Sequence, residues 1–429
     1  MGKTLKLLAL LLCMLALAGC GAKTAQVAVP EQEAAPVSKK GEVAVYMDST
    51  LSMLGYANFP TDSEYAVALK SIEQALNVAW KESQVQFFRF GNTTQPLSRE
   101  EFLQAATPGF YQDTDNKLQS VVAGLKQDKV NIVVTDLFQT DQDMQSIITA
   151  LNAKFLGDGN MVALLGMSSR FNGTVYDIGN AGLQFPYQSG ADPKSYKPFY
   201  FLILGPEQDV LHLVQAFEKI LPNTVPRKLL VYGDKLGTAG RLTAAKADLP
   251  AGQRTYAATS SLLGEQSGYL QYILKDNPGV LLLDFNVTLP YAMKVEQPEF
   301  VLDKLEAWQN GKFVNTAAKD FKKTEVLNTT SKDKSLECRV ALQLDPAKLP
   351  QRGIYRVHVA LRPSLANYRQ IQQVFKSWNM DVSGMDSWNA GNFPGNTTFN
   401  LEKFTNNLAE VAYVSLEPSF DGSWIYFKY

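Results

Sequence analysis

The chain has 429 residues, of which 45% are hydrophobic and 19% are charged, and its formal net charge is −1 at pH 7. This length and composition are typical of a globular protein with more than one hydrophobic core, and we expect two domains. Because acidic and basic residues nearly balance, the chain offers no basic excess for nucleic acid or for an anionic membrane face, and we predict neither as a partner.

The first segment of the chain has the pattern of an export signal. A short cationic start, Met1 to Lys6, precedes an apolar run from Leu7 to Ala18. The run is shorter than the roughly 20 residues of a membrane-spanning helix, and it ends in Leu-Ala-Gly-Cys with the cysteine at position 20. This ending resembles the lipobox of bacterial lipoproteins. The resemblance implies cleavage after residue 19, acylation of Cys20 with lipid chains such as palmitate, and an extracytoplasmic location on the cell membrane or outer membrane.

An ordinary secretory signal followed by a chance cysteine is the alternative to a lipid anchor. Removal of residues 1–19, with Lys3 and Lys6, would leave a net charge of about −3 and Cys338 as the only cysteine besides Cys20. We therefore expect no intramolecular disulfide. Residues 20–40 then form the lipidated cysteine and an aperiodic stretch typical of a flexible tether. In this interpretation the protein contacts the membrane only through its lipid anchor.

Residues 41–221 alternate between short apolar runs and segments with apolar residues at three- and four-residue steps. This alternation predicts an α/β domain that is doubly wound around a mainly parallel sheet. The predicted strands are 43–47, 86–90, 130–135, 161–166 and 199–204, and the predicted helices surround Leu69, Leu118, Met144 and Val210.

Pro222 and Pro226 predict a linker, after which residues 227–429 form a second domain. Helical patterns are scarce there and short strands are separated by loops, which favours a β-rich, sandwich-like domain that is mostly antiparallel. The predicted strands are 228–232, 280–287, 339–344, 355–361, 411–416 and 424–427.

The first predicted strand continues directly into Asp48-Ser49-Thr50-Leu51-Ser52. In an open α/β sheet, ligands bind at the carboxyl ends of the strands. The pattern Asp-x-Thr-x-Ser resembles the metal-ion-dependent adhesion motif (MIDAS) of the von Willebrand factor A family, which is usually Asp-x-Ser-x-Ser. The resemblance implies two further ligands, Thr114 on a loop before a helix and Asp136 at the end of the central strand. Taken singly, an Asp or Ser in a strand-end loop is most often a turn former or a helix cap, and only the three pieces together favour the A-type interpretation.

The residue types suit a magnesium ion, because Mg²⁺ prefers oxygen ligands in octahedral geometry and retains several waters. The resemblance implies direct coordination by Thr50, Ser52 and Thr114, with Asp48 and Asp136 supplying charge directly or through water. Calcium or manganese can replace magnesium on such oxygen ligands. The chain departs from the family pattern twice: Thr50 replaces the usual Ser, and Leu137 follows Asp136 where Gly is common.

Three functions are compatible with this interpretation. The first is a binding protein that uses the cation to hold an acidic side chain of another cell-envelope protein. The second is a metal-dependent hydrolase, for which the sequence supplies no further cluster able to act as general base, and its two histidines, His212 and His358, lie far from the motif. The third is an envelope scaffolding or assembly subunit without metal. We assign no catalytic residues.

Overall fold

The computed structural model describes most of the chain from residue 41 onward. The described residues are 41–59, 62–137, 141–157, 159–178, 182–233, 235–237, 242–244, 256–259, 262–263, 269–274, 279–288, 298–316, 322–332, 335–362, 373–381, 383, 385–416 and 419–429. The signal segment, Cys20 and the tether lie outside these ranges, so their assignments stay predictions. No helix in the described ranges combines the length and the apolar composition needed to cross a bilayer.

The described residues of the first half contain nine strands. They are β1 (Val43–Asp48), β2 (Val85–Phe90), β3 (Thr94–Leu97), β4 (Val130–Thr135), β5 (Asn160–Ser169), β6 (Asn172–Ile178), β7 (Leu183–Gln188), β8 (Lys197–Pro206) and β9 (Arg227–Gly233). Seven of them form one sheet in the order β3-β2-β1-β4-β8-β5-β9, and β6 pairs with β7. The predicted strands of residues 41–221 all lie in this sheet.

The sheet is mixed, with parallel strands at its centre. β2, β1 and β4 are parallel neighbours, and β5 points the same way because β8 lies antiparallel between β4 and β5. β3 and β9 run antiparallel to their neighbours at the two edges. The predicted α/β class is confirmed. The antiparallel insertion of β8 was not predicted, because a continuous apolar run shows that a strand is buried but not its direction.

Helices connect these strands in the described part of the chain, and those around Leu69, Leu118, Met144 and Val210 lie where the apolar spacing predicts them, whereas two further short helices were not predicted. The helices are α1 (Leu54–Ala57), α2 (Glu64–Ala79), α3 (Arg99–Leu103), α4 (Leu118–Gly124), α5 (Asp141–Phe155) and α6 (Glu207–Ile220). Ser63 caps the N terminus of α2, because its hydroxyl accepts a hydrogen bond from the Ala66 backbone N–H. α2 packs against α6 and α4 packs against α5.

In the C-terminal half, the part of the chain that the structure describes contains eleven further strands. They are β10 (Lys235–Gly237), β11 (Leu242–Ala244), β12 (Tyr256–Ala258), β13 (Leu270–Leu274), β14 (Gly279–Thr288), β15 (Glu299–Gln309), β16 (Lys312–Asn315), β17 (Lys322–Lys332), β18 (Ser335–Leu344), β19 (Ile354–Arg362) and β20 (Ser419–Lys428). One sheet has the order β12-β13-β20-β19-β15-β16 with β10 paired to β20, and the other has the order β11-β14-β18-β17. Phe285 and Phe300 join the two sheets through rings 5.4 Å apart. The β-rich character of this half is confirmed.

One predicted strand of this half is wrong. Residues 411–416 form the end of the helix α7 (Leu401–Leu416). Leu401, Phe404, Leu408 and Ala412 are buried, and their three- and four-residue spacing is helical. The β-branched Val411 and Val414 favoured a strand locally, but the longer apolar period on one face of the segment determines the structure.

Two elements that follow the predicted linker, β9 and α7, contact the first sheet or its helices. β9 pairs with β5 in that sheet, and α7 packs against β9 and α5. The Tyr200 hydroxyl on β8 donates a hydrogen bond to Thr398 Oγ1 at 2.9 Å. The division into domains between residues 221 and 227 stays a prediction, and the pairing of β9 shows that the first sheet extends beyond it.

Candidate cation site

The Asp48 loop lies at the carboxyl end of β1, in the middle of the parallel part of the sheet. Asp48 is the last residue of β1 and is completely buried. The next residue, Ser49, donates hydrogen bonds from its backbone N–H and its hydroxyl to the Phe90 carbonyl, both at 2.8 Å. The chain then turns at Thr50 into a single 3₁₀ turn, Leu51–Met53. This sharp turn keeps the hydroxyls of the motif at the sheet edge.

The Asp48 carboxylate accepts four hydrogen bonds. Its Oδ1 accepts from the backbone N–H of Thr50 at 3.0 Å and from Thr50 Oγ1 at 2.7 Å. Its Oδ2 accepts from Asn116 Nδ2 at 2.7 Å and from Thr135 Oγ1 at 2.9 Å. A carboxylate has about four acceptor positions, so protein donors fill them all. Asp48 is therefore suited to act on a cation through its charge and through a bridging group rather than by a direct bond.

The two hydroxyls of the motif lie side by side. Thr50 Oγ1 and Ser52 Oγ are 3.0 Å apart, and Thr50 is buried while Ser52 is partly exposed. An octahedral ion with bonds of 2.0–2.1 Å places adjacent ligands about 2.9 Å apart. The two hydroxyls form a hydrogen bond at this distance, and the same spacing is compatible with neighbouring positions around a magnesium ion.

The loop that carries Thr114 is joined to the Asp48 loop through the backbone. Asp113 and Thr50 form a parallel β-bridge, and Leu51 N–H donates to the Asp113 carbonyl at 2.9 Å. The Ser49 carbonyl accepts from Asp113 N–H at 3.2 Å. Since neighbouring Cα atoms are 3.8 Å apart, the exposed Thr114 lies beside this loop.

Asp113 anchors this junction with its side chain. Its Oδ2 accepts from Ser49 Oγ at 2.5 Å and from Arg89 at 3.0 Å. Burial alone would raise the pKa of Asp113, but the hydrogen bonds from Ser49 and Arg89 lower the pKa below its ordinary value. Asp113 therefore stays ionised and holds the two loops together.

Asp136 brings a second carboxylate to the same edge. It follows Thr135, which bonds Asp48, and it is only 1% exposed. Burial, and then the negative charge of Asp136, raise the pKa of Asp48 from 3.8 to about 7. Two carboxylates buried this close repel each other, and their mutual repulsion favours a cation between or beside them.

Leu137, the departure from the family pattern, has an unusual backbone. Its φ is +51°, a conformation that glycine adopts freely and a leucine rarely does. Its side chain is buried and lines a narrow slot with Met144, Ile147 and Phe404. Leu137 therefore has a backbone conformation that favours glycine, and its side chain packs between α5 and α7.

Other candidate groups lie elsewhere in the fold. His212 packs against Trp80 and His358 against Trp424. A cleft of about 470 Å³ opens at the amino end of β2, opposite the end that carries the site, and is bordered by Arg99, which forms ion pairs with Glu73 and Glu82. Within the described ranges, no three His, Cys, Asp or Glu side chains form a group suited to a metal ion. A MIDAS-like site with two carboxylates and several hydroxyls is not of that type.

The structure thus brings together all three segments that carry the proposed ligands. Asp48, Thr50 and Ser52 share one loop, Thr114 lies beside it, and Asp136 follows a residue bonded to Asp48. The sequence interpretation missed Asn116 and Thr135, although each is within two residues of a predicted ligand. No protein-family model matches the chain, and neither a curated protein nor a solved structure is similar to it at a significant level.

Proposed function

We propose that this protein is a lipid-anchored component of a bacterial cell envelope that binds a partner protein through a divalent cation. In this proposal the first half is a von Willebrand factor A-like domain that holds Mg²⁺, or Ca²⁺ or Mn²⁺ in its place. The cation then binds an acidic side chain of another envelope protein.

The spacing of the hydroxyl oxygens is the observation that carries this proposal. Thr50 Oγ1 lies 3.0 Å from Ser52 Oγ, which agrees with the edge of a magnesium coordination shell, and its hydrogen bond to Asp48 Oδ1 orients it. Asp136 adds a second buried negative charge at the same edge. A turn or a helix cap needs one such side chain, whereas the Asp48 loop, the neighbouring Thr114 loop and the end of β4 lie at one edge of the sheet.

The proposed ligands differ in their exposure to solvent. Thr50 and Asp48 are buried and fix the inner side of the site, whereas Ser52 is partly exposed and Thr114 is exposed. A partner would therefore approach from the side of Ser52 and Thr114. A carboxylate is the partner group that this arrangement favours, because it neutralises the cation and can occupy a position otherwise held by water.

A cation titration of the full-length chain in detergent tests the first step. After treatment with a chelator, Mg²⁺ should raise the melting temperature along a saturable curve, because a ligand that binds only the folded state stabilises it. Asp48→Ala and Asp136→Ala should remove this rise. Glu325→Gln, which removes an exposed acid on β17, should retain it. If the two aspartate variants respond to Mg²⁺ like the wild type, the site does not bind the cation.

A capture experiment tests the second step. Envelope proteins bound to the immobilised chain in Mg²⁺ should be released by a chelator, and the Asp136→Ala chain should not retain them. Partners that stay bound in the chelator would instead support the metal-free scaffolding function.

A further inference from the structure

A lysine is buried at the same edge of the sheet as the two aspartates. Lys197 is the first residue of β8 and is completely buried. β8 runs antiparallel to β4, so its beginning lies at the carboxyl end of β4. The strand insertion that the sequence did not predict therefore brings a cationic side chain to the candidate site.

The strand register places Lys197 on the side of Asp136. Thr135 pairs with Tyr200, and continuing this register by one residue sets Asp136 across from Phe199. Lys197 lies two residues before Phe199, on the same face of β8, because side chains alternate along a strand. The Lys197 ammonium also lies 5.6 Å from the centre of the Phe171 ring.

A buried tyrosine, Tyr56, contacts the backbone next to Lys197. The Tyr56 hydroxyl donates a hydrogen bond to the carbonyl of Pro198, the neighbour of Lys197. The negative charge of Asp136 acts on the same Tyr56 hydroxyl, whose pKa is raised by burial first and then by Asp136. Lys197, Tyr56 and Asp136 thus share one buried compartment.

The charges in this compartment depend on one another. Burial lowers the pKa of Lys197 to about 8, and the charge of Asp136 opposes that fall. A buried ammonium is costly without a nearby anion, and the aspartate pair is likewise costly without a cation.

We propose that Lys197 is the internal counter-cation of Asp136, and that its charge competes with the divalent cation and sets the affinity of the site. The part of this inference that concerns the divalent cation rests on the proposed function. The pairing of Lys197 with Asp136 does not.

Binding of Mn²⁺ alone, measured from the EPR signal of the free ion with the full-length chain in detergent, tests the competition. Lys197→Met keeps the length of the side chain and removes its charge, and it should bind Mn²⁺ at least about tenfold more tightly than the wild type. Lys197→Arg retains the charge, and Lys194→Met removes an exposed charge three residues away. Both should stay within about threefold of the wild type.

The possible results separate this inference from the proposed function. If Lys197→Met binds Mn²⁺ no more tightly than the wild type, the competition is refuted. If the wild type binds no Mn²⁺ and Lys197→Met does, the Lys197 ammonium takes the place of the divalent cation in the wild type. This result supports the inference and contradicts the proposed function. If neither binds Mn²⁺, the competition and the proposed function are both refuted, and only the double-mutant cycle bears on the pairing.

A double-mutant cycle in a chelator tests the pairing without any metal. Lys197→Met and Asp136→Asn should each lower the free energy of unfolding, and the double variant should lose clearly less than the sum of the two. If Lys197→Met does not fold, a folded double variant gives the same support. Additive losses, or a double variant that also fails to fold, would refute the pairing.

Discussion

Asp48 is a buried carboxylate whose surroundings both support and oppose its charge. Four donors hold its oxygens, yet burial and the nearby Asp136 raise its pKa to about 7. The hydrogen bonds orient the carboxylate, but they do not neutralise the pair. In our account a divalent cation or the Lys197 ammonium supplies the missing positive charge.

The raised pKa of Asp48 predicts that the contribution of this carboxyl to the stability of the chelator-treated protein falls as the pH rises. Below pH 4 the carboxyl is protonated in the folded and the unfolded chain, so its contribution is complete. Between about pH 4 and pH 7 the unfolded chain ionises first, which favours unfolding, and above pH 7 no further loss occurs. The total loss is on the order of a few kcal/mol.

The Asp48→Asn variant isolates this contribution. Because Asn does not ionise, the free energy of unfolding of the variant relative to the wild type should increase between pH 4 and pH 7. Urea unfolding at a series of pH values measures it. A difference that stays constant with pH would show that Asp48 ionises normally in the folded protein.

The left-handed backbone at Leu137 predicts that a glycine variant is more stable than an alanine variant there, which reverses the usual order. A left-handed conformation costs an L-residue about 1–2 kcal/mol, so glycine relieves a cost there that alanine retains. Leu137→Gly should therefore be more stable than Leu137→Ala by about 1 kcal/mol, although both lose the buried side chain.

Leu202 is the matched control for Leu137, because it is equally buried but lies inside the extended strand β8. There Leu202→Gly should be less stable than Leu202→Ala by about 0.5–1 kcal/mol. Chemical denaturation compares the four variants. The same order of Gly and Ala at both positions would refute backbone strain at Leu137.

At the scale of the elements, the parallel centre of the sheet creates the site. β1 and β4 end at one edge, which brings Asp48 and Thr135 into hydrogen-bond contact. The antiparallel β8 starts at that edge and contributes Lys197. The same element also separates β4 from β5, so the sheet order differs from a fully doubly wound arrangement.

Gly166 on β5 is a contact point between the first sheet and the C-terminal segment. An added Cβ would lie 2.5 Å from the Phe375 ring and 2.9 Å from Trp378, and Phe375 is completely buried. Gly166→Ala should therefore destabilise the protein by about 1–3 kcal/mol. At Gly109 an added Cβ meets nothing within 4 Å, so Gly109→Ala should change stability by less than about 0.5 kcal/mol. Urea midpoints that agree for the two variants would contradict this packing.

The sequence predicted the elements of the site better than their arrangement. Asp48 and Asp136 each follow a strand of unmistakable apolar pattern, and this placed both at one sheet edge. Lys197 carried no such signal, because a lysine before an apolar run usually marks a solvated strand end. Its burial depends on the direction of β8, which local apolar patterns do not encode. The predicted strand at 411–416 failed for a related reason, since a short β-branched segment concealed a longer helical period.

At the scale of the whole molecule, the C-terminal half both forms its own sheets and returns to the first one. α7 packs on β9 and α5, and Leu137 lies in the slot between α5 and α7. The residue after Asp136 is thus held by the last helix of the chain. The stability of the site therefore depends on residues more than 250 positions apart in sequence.

The location of a bound ion decides whether the hydroxyls of Thr50 and Ser52 belong to a cation site. A crystal of the protein grown with millimolar Mn²⁺, recorded at a wavelength where manganese scatters anomalously, shows where the ion lies. We predict an anomalous peak within about 2.5 Å of both Thr50 Oγ1 and Ser52 Oγ, with Asp48 and Asp136 on its inner side. A map without a peak at this edge of the sheet would contradict the cation site and the function proposed for it.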